Sequence, residues 1–332
     1  MEQRDVVVVG GGPAGLAAAI FTQLDGWSTL VLEANWTGGQ AAIASTVTNY
    51  PGFLPGDGAV LVDNLEKQVT SAPPAGAGAE LRQEKVVSID SDARVVITES
   101  NRYQAKVIIV ATGSTMQKLG IPGEDMFLGK GVSFYAKRDA MEFAGKRIMV
   151  VGGGNTTAKS ALVAKSAGAV HVTLVHRRES LRAYPAMVKR LGKEGIEIWY
   201  NTVIEEIKGS GQVEGLVVKN ASGEKREIPI DWIIICVGTE PNVNLAQEAG
   251  LEMKGHFVGV NNQMMTSKQG VFACGEVAGT DRHIAPSIAS GAYAGMAASE
   301  YLALERVKRG EMFAGAINGK YADEYLAMLN ER

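Results

Sequence analysis

The chain has 332 residues, 46% of them hydrophobic, and a formal net charge of −3. That length holds two domains with cores of their own, and a mildly acidic balance without a basic run or interleaved aromatic patch excludes a nucleic-acid or membrane-surface protein. The longest apolar stretches, around Val6 and Ile233, are strand-sized and too short to span a membrane; the first strand begins so near Met1 that no signal peptide is expected, which makes the cytoplasm the expected compartment.

Residues 5–9 read as a buried parallel strand. The turn GGGPAG follows, carrying Gly10, Gly12, Pro13, Ala14 and Gly15, and opens a helix through LAAAIFTQLDG. In such a turn Gly10 permits the tight bend, Gly12 lets backbone approach a pyrophosphate, and Gly15 lets helix pack on strand. The pyrophosphate then lies on the free N–H groups of the helix start. The next strand, TLVLE at 29–33, ends in Glu33, an acid placed to accept hydrogen bonds from two free ribose hydroxyls. Residues 34–56 read as loop, with TGGQ and TNYPGF. A helix near 58–71, a small-residue loop APPAGAGA, and strands KVVSI, RVVITE and AKVIIVATG follow, the last ending at Gly113.

After the turn-rich GIPGED, a second βαβ unit begins at about Lys146. Its turn, IMVVGGGNTT, holds Gly152, Gly154, Asn155, Thr156 and Thr157, and its next strand, VTLVHRR, ends in His176, Arg177 and Arg178, with Arg182 four residues on. Arginine matches phosphate geometry in a fork, so this cluster suits a ribose bearing a 2′-phosphate and predicts NADPH over NADH. Thr157 stands where a third Gly or Ala belongs, and a β-branched residue there is expected to push helix and strand slightly apart. Strands near 195–207, 213–219 and 231–237 close this segment at CVGTEPN. The chain then runs through GVFACGE to a helix-compatible stretch, Pro286 to Leu304. The expected architecture is an α/β fold of two nucleotide-binding Rossmann-like domains, one inserted into the other, with crossings near 114–122 and 238–246. The last run, YADEYLAMLNER, places Tyr321 and Tyr325 on one helix face, as a terminal helix packed on its own domain would.

The two cysteines, Cys236 and Cys274, sit in apolar strands and form no CxxC, and the four histidines show no HxH or HExxH spacing. No disulfide framework and no metal are expected.

The motifs GGGPAG, TGGQ, TNYPGF, VATGS, GIPGE, GGGNTT, HRRESLRA, VGTEPN and GVFACGE, in this order over residues 4–304, resemble those of the low-molecular-weight thioredoxin reductase family of FAD- and NADPH-dependent flavoproteins. The resemblance implies an FAD-binding domain at 1–117 and 246–332, of which 305–332 is a C-terminal tail, and an NADPH-binding domain at 118–245. It implies that Gly39, Gln40 and Asn49 lie along the FAD, and that Ala111, Thr112 and Gly113 form a crossover turn against it. Gly275 and Glu276 would meet its ribityl chain and pyrophosphate, and Arg282, His283 and Ile284 would lie at the flavin ring. It also implies a homodimer joined through the FAD domains.

The chain departs from that family where it matters for chemistry. The family's redox CxxC lies in a segment like GVSYCATCD; this chain reads GVSFYAKRD, with Tyr135 and Arg138 at the two cysteine positions. Neither Cys236 nor Cys274 stands in for them, because each matches a position that is apolar in the family. Glu276 replaces an Asp, His283 stands where Gln is frequent, and Lys159 and Ser160 replace an acidic pair after the second turn. The expected activity is therefore an NADPH- and FAD-dependent oxidoreductase whose flavin serves an external acceptor without an internal dithiol, and no catalytic side chain is invoked. The acceptor stays open between ferredoxin, as in ferredoxin–NADP reductases of this fold with their C-terminal extension over the flavin, and a small molecule such as oxygen or a quinone. Lys137 and Arg138 read either as an attraction for an acidic ferredoxin or as a solvated face. The alternatives are a flavin-binding regulatory or inactive paralogue with little turnover, and a true thioredoxin-disulfide reductase with an unusual dithiol arrangement.

Overall fold

A computed structural model describes residues 1–44, 46–71 and 78–310. Most of the APPAGAGA loop, and the tail with Tyr321 and Tyr325, lie outside the described residues. The chain divides into two compact units, residues 1–114 with 241–332, and residues 115–240.

The first unit is built on a sheet whose strands Glu80–Gln83, Thr29–Glu33, Glu2–Val9 and Arg102–Val110 run parallel in that order. Val271–Ala273 adds in parallel to Arg102–Val110, and Val95–Thr98 and Val86–Asp90 extend the sheet antiparallel. Val6 to Val9 are buried one after another, as expected of a parallel strand covered on both faces. On one face the helices Pro13–Leu24 and Ile284–Lys308 pack over Val6, Val8, Val107 and Phe272. On the other, Val7, Val9, Leu30 and Ile108 meet Leu251 and Val258. Because the central strands are parallel, the turns at Gly10, Glu33, Ala111 and Gly275 all leave from the same end of the sheet, where ligands of open α/β folds bind.

In the second unit, Glu197–Trp199, His171–Val175, Arg147–Gly152, Trp232–Cys236 and Val132–Ser133 form a parallel sheet in that order. Val203–Lys208, Gly215–Lys219 and Lys225–Pro229 form an antiparallel one. Helix Asn155–Ser166 and the parallel sheet share a core around Phe143, Ile148, Leu174 and Leu191.

Several elements differ from the sequence reading for local reasons. The strand read through Gly113 ends at Val110, because Gly113 takes a left-handed φ of +64° and its carbonyl accepts from Asn242 N at 2.9 Å. The strand read at 195–207 is two strands in different sheets, parted at Asn201 with φ +49°. The loop at 34–56 contains one helical turn, Gly39–Ala42. Strand Lys225–Pro229 and helices Pro185–Lys193 and Asn244–Glu248 are further elements; the first helix is amphipathic but only nine residues long, and the other two elements have five residues each. Among the described residues no helix is long and apolar enough to cross a membrane.

The two helices covering the first sheet touch backbone to backbone. A Cβ on Gly291 would stand 2.0 Å from Ala14 O, and one on Gly295 would stand 2.6 Å from Ala18 O. Gly291→Ala gains about 1 kcal/mol of helix propensity but forces this contact open, at a cost of about 3 kcal/mol. We expect a net loss of about 2 kcal/mol in urea denaturation; an unchanged or raised midpoint would contradict the packing described.

Candidate dinucleotide sites

The first glycine turn has no room for side chains where its backbone must close. Gly10 has φ +113°, and a Cβ there would lie 2.3 Å from Ala111 O; a Cβ on Gly15 would lie 1.9 Å from Gly10 O. Around Gly12 the space is open to 4 Å, no side chain caps the helix that begins at Pro13, and Ala14 is buried beneath it. Glu33 is fixed at the next strand end, where its Oε2 accepts from Gly11 N at 2.7 Å and its Oε1 from Asn35 N at 2.9 Å. Each carboxylate oxygen accepts more than one hydrogen bond, so capacity remains for ribose hydroxyls. Gly38 N donates to Gly11 O at 2.7 Å, which brings Gly39 to the mouth of the turn.

The remaining candidates of this unit gather at the same sheet end. Ala111 N donates to Val9 O, and Thr112 and Asn242 exchange two side-chain-to-backbone bonds of 2.8 Å each. Gln40 Nε2 reaches Ser114 O at 2.8 Å, and Ser114 Oγ donates to Glu276. Gly275, with φ +77°, lies against Ala14 and donates to Ser290 Oγ at 2.9 Å. His283 is the cap residue of the helix that opens at Ile284, and its Nδ1 is 3.3 Å from Asn49 Nδ2; Arg282 beside it is exposed. No side chain caps that helix, so its positive end stays available to a negative group. Ser114 and Asn242 lie in the VATGS and VGTEPN motifs but were not among the site residues read from sequence. The place of Ser114 in VATGS and the extra methylene of Glu276 were the signals that could have pointed to it.

The second turn repeats the plan with one change. Gly152, φ +143°, would place a Cβ 2.3 Å from Cys236 O, while Gly154 faces open space. Thr157 is fully buried, and its hydroxyl donates to Cys236 O at 3.4 Å. Gly15, at the matching place in the first turn, tolerates no Cβ; Thr157 carries one, so the second turn is necessarily the wider. The HRRESLRA loop is stitched to this turn. Arg182 N and Ala183 N donate to Gly153 O at 2.7 and 3.0 Å, and Tyr184 N donates to Asn155 Oδ1 at 2.9 Å. Thr156, Arg177, Arg178 and Arg182 are exposed around it.

His176 lies flat on Gly153, where a Cβ would meet its ring at 2.3 Å. It is 6% exposed, and its Nε2 is buried without a hydrogen-bond partner. Burial first, then the charges of Arg178 and Arg182, holds its pKa below the ordinary histidine value, so the ring is neutral near pH 7. An orphaned polar atom beside three exposed guanidinium groups fits an anionic ligand with hydroxyls, as the open cradle at Gly12 and Glu33 fits a second dinucleotide.

The segment at 131–139 belongs to the second unit. Arg138 Cζ lies 5.1 Å over the Tyr135 ring, and its Nε donates to Asp139 Oδ1 at 2.8 Å. Burial raises the Tyr135 pKa, and the Asp139 hydrogen bond raises that of Arg138, so both groups keep their protons.

Two Rossmann-like units, one interrupting the other and each with a glycine turn, form the architecture of flavoproteins that take electrons from nicotinamide dinucleotides. The chain belongs to the pyridine nucleotide-disulphide oxidoreductase family, whose profile matches residues 4–298. It is 36% identical over 304 residues to a thioredoxin reductase of Treponema pallidum, covering 90% of this chain and 97% of that one. Among solved structures it resembles a Lactococcus lactis thioredoxin reductase at TM-score 0.83 and 33% identity, covering 90% of this chain and 99% of that one. A T. acidophilum thioredoxin reductase matches at TM-score 0.81 and 30% identity, covering 90% and 98%. The protein is thus an NAD(P)H-dependent flavoprotein oxidoreductase of the thioredoxin reductase type, a type whose cofactors are FAD and NADPH.

The family's name points to disulfides, which makes the state of the two cysteines informative. Burial pushes the Cys236 thiol up to about 11 and the Cys274 thiol up to about 12. At pH 8 both remain protonated, and the thiolate is the reactive form. We expect neither to react with an aromatic disulfide reagent in the folded protein at pH 8, and both to react once guanidinium unfolds it. Rapid native labelling of Cys274, which is fully buried, would contradict the burial described.

Proposed function

We propose that the enzyme takes hydride from NADPH and passes electrons through FAD to an acceptor outside the chain, with no internal dithiol as an intermediate station. The observation that carries this reading is the Tyr135–Arg138 pair, a guanidinium stacked over a phenol ring and ion-paired with Asp139, at the positions where the resemblance calls for cysteines. Cys236 and Cys274 belong to different compact units, and their thiols are held protonated.

In this reading Arg177, Arg178 and Arg182 bind the 2′-phosphate of NADPH, the neutral His176 offers its unpartnered ring nitrogen beside them, and Gly152 to Thr157 receive the pyrophosphate. Gly10, Gly12 and the helix start at Pro13 receive that of FAD, Glu33 holds its adenosine ribose, and the helix opening at Ile284 favours negative charge at the ring. Bound FAD supplies the redox chemistry, as the centre that accepts a hydride and yields electrons. The family resemblance is the ground for expecting a homodimer.

Two acceptor classes fit, a small diffusible oxidant such as a quinone or oxygen, or an acidic carrier of the ferredoxin type. The carboxylate of Asp139 balances the charge of Arg138, one of the two cations that would draw an acidic carrier, which favours the small oxidant. Two variants test the reading. Arg177→Ala with Arg178→Ala should weaken NADPH binding roughly 100-fold, through two charge-assisted hydrogen bonds, and leave NADH binding nearly unchanged; an unaltered NADPH/NADH preference would sink the assignment. Cys236→Ala with Cys274→Ala should keep NADPH oxidation by a quinone, and loss of that activity in a folded variant would refute an external acceptor.

A further inference from the structure

We propose that Ser114 is a positioning residue of the FAD site, and that with Gln40 it holds the Glu276 carboxylate in place as an acceptor for the cofactor's hydroxyls. The inference rests on the reading that Glu276 lies at the FAD.

Gln40 Nε2 lies 2.8 Å from Ser114 O and 2.9 Å from Ser114 Oγ. The first contact fixes the amide orientation, because the amide oxygen placed there would face another acceptor. The amide therefore donates to the hydroxyl as well, and the hydroxyl's single proton goes to Glu276 Oε2. Donation runs one way, amide to hydroxyl to carboxylate, and the last bond is charge-assisted. Glu276 Oε1 is left to accept from a polyol hydroxyl.

Ser114 is itself held in place. The residues before it are bound to Asn242 through Thr112 and through Gly113 O. Gln40 is anchored two residues away through Gly38, which donates to Gly11 O in the first turn. The carboxylate is thus tied to two elements that already frame the cradle at Gly12. An Asp at 276 would carry its carboxylate about 1.5 Å shorter and would fall short of Ser114 Oγ. Glu276 and Ser114 therefore act as one unit, and the residue usual in the family should fail here.

The test is FAD retention by the full-length holoenzyme, read as the dissociation constant from flavin fluorescence on dilution. Ser114→Ala should retain FAD about tenfold less tightly, the effect of one hydrogen bond to a charged group, and Ser114→Thr, which keeps the hydroxyl, should stay near wild type. Glu276→Asp should match Ser114→Ala, and the double variant should be no weaker than either single one. Thermal melting of the FAD-free chain should be unchanged by Ser114→Ala, which a purely structural role would not allow. If Glu276→Gln loses FAD while Ser114→Ala retains it, or if the two single losses add, the proposal is overturned and the placement of Glu276 stands. If Glu276→Gln retains FAD as wild type does, that placement falls and the proposal with it.

Discussion

The structure depends on a near-contact between backbones. The carbonyl of Gly10 occupies the space that a side chain at position 15 would need, and the carbonyl of Ala111 occupies the space that one at position 10 would need. Only glycine meets both demands, and meeting them brings three loop segments to one end of a parallel sheet. The same closeness continues along the helix, where Gly291 and Gly295 let the long C-terminal helix lie on the first. A helix start without a side-chain cap, an acid at the neighbouring strand end and a second uncapped helix at Ile284 then face a common region. The binding geometry and the fold are consequences of one packing constraint.

The second unit repeats that constraint less strictly. Thr157 is accommodated because its hydroxyl finds the carbonyl of Cys236, so a polar atom inside the core is satisfied instead of orphaned. His176 Nε2 is among the buried polar atoms left without a partner, and it is the one beside the exposed arginines. Burial, reinforced by the charges of Arg178 and Arg182, keeps the histidine neutral.

The glycine turns, Glu33 and the HRRESLRA cluster were legible in the sequence because they are local patterns. A strand, a turn and a helix start follow one another within about a dozen residues, as the βαβ unit requires. What escaped reading is non-local. Ser114 meets Glu276 across 162 positions, and Asn242 meets Thr112 across 130, and no window of sequence holds both partners. The break at Asn201 depends on a left-handed backbone angle that a strand-like composition conceals. Strand Lys225–Pro229 is so polar that only its pairing with Gly215–Lys219 makes it a strand.

In the proposed reading, Tyr135 and Arg138, at the positions where the resemblance calls for a dithiol, give these features their functional meaning. A guanidinium over a phenol ring, locked by a neighbouring carboxylate, stores no electrons, whereas a CxxC stores two. Reductive titration of the holoenzyme with dithionite, without oxygen, counts that difference directly. The account predicts complete flavin bleaching at about one two-electron equivalent per FAD. A requirement for about two equivalents, one of them consumed by a disulfide, would contradict it.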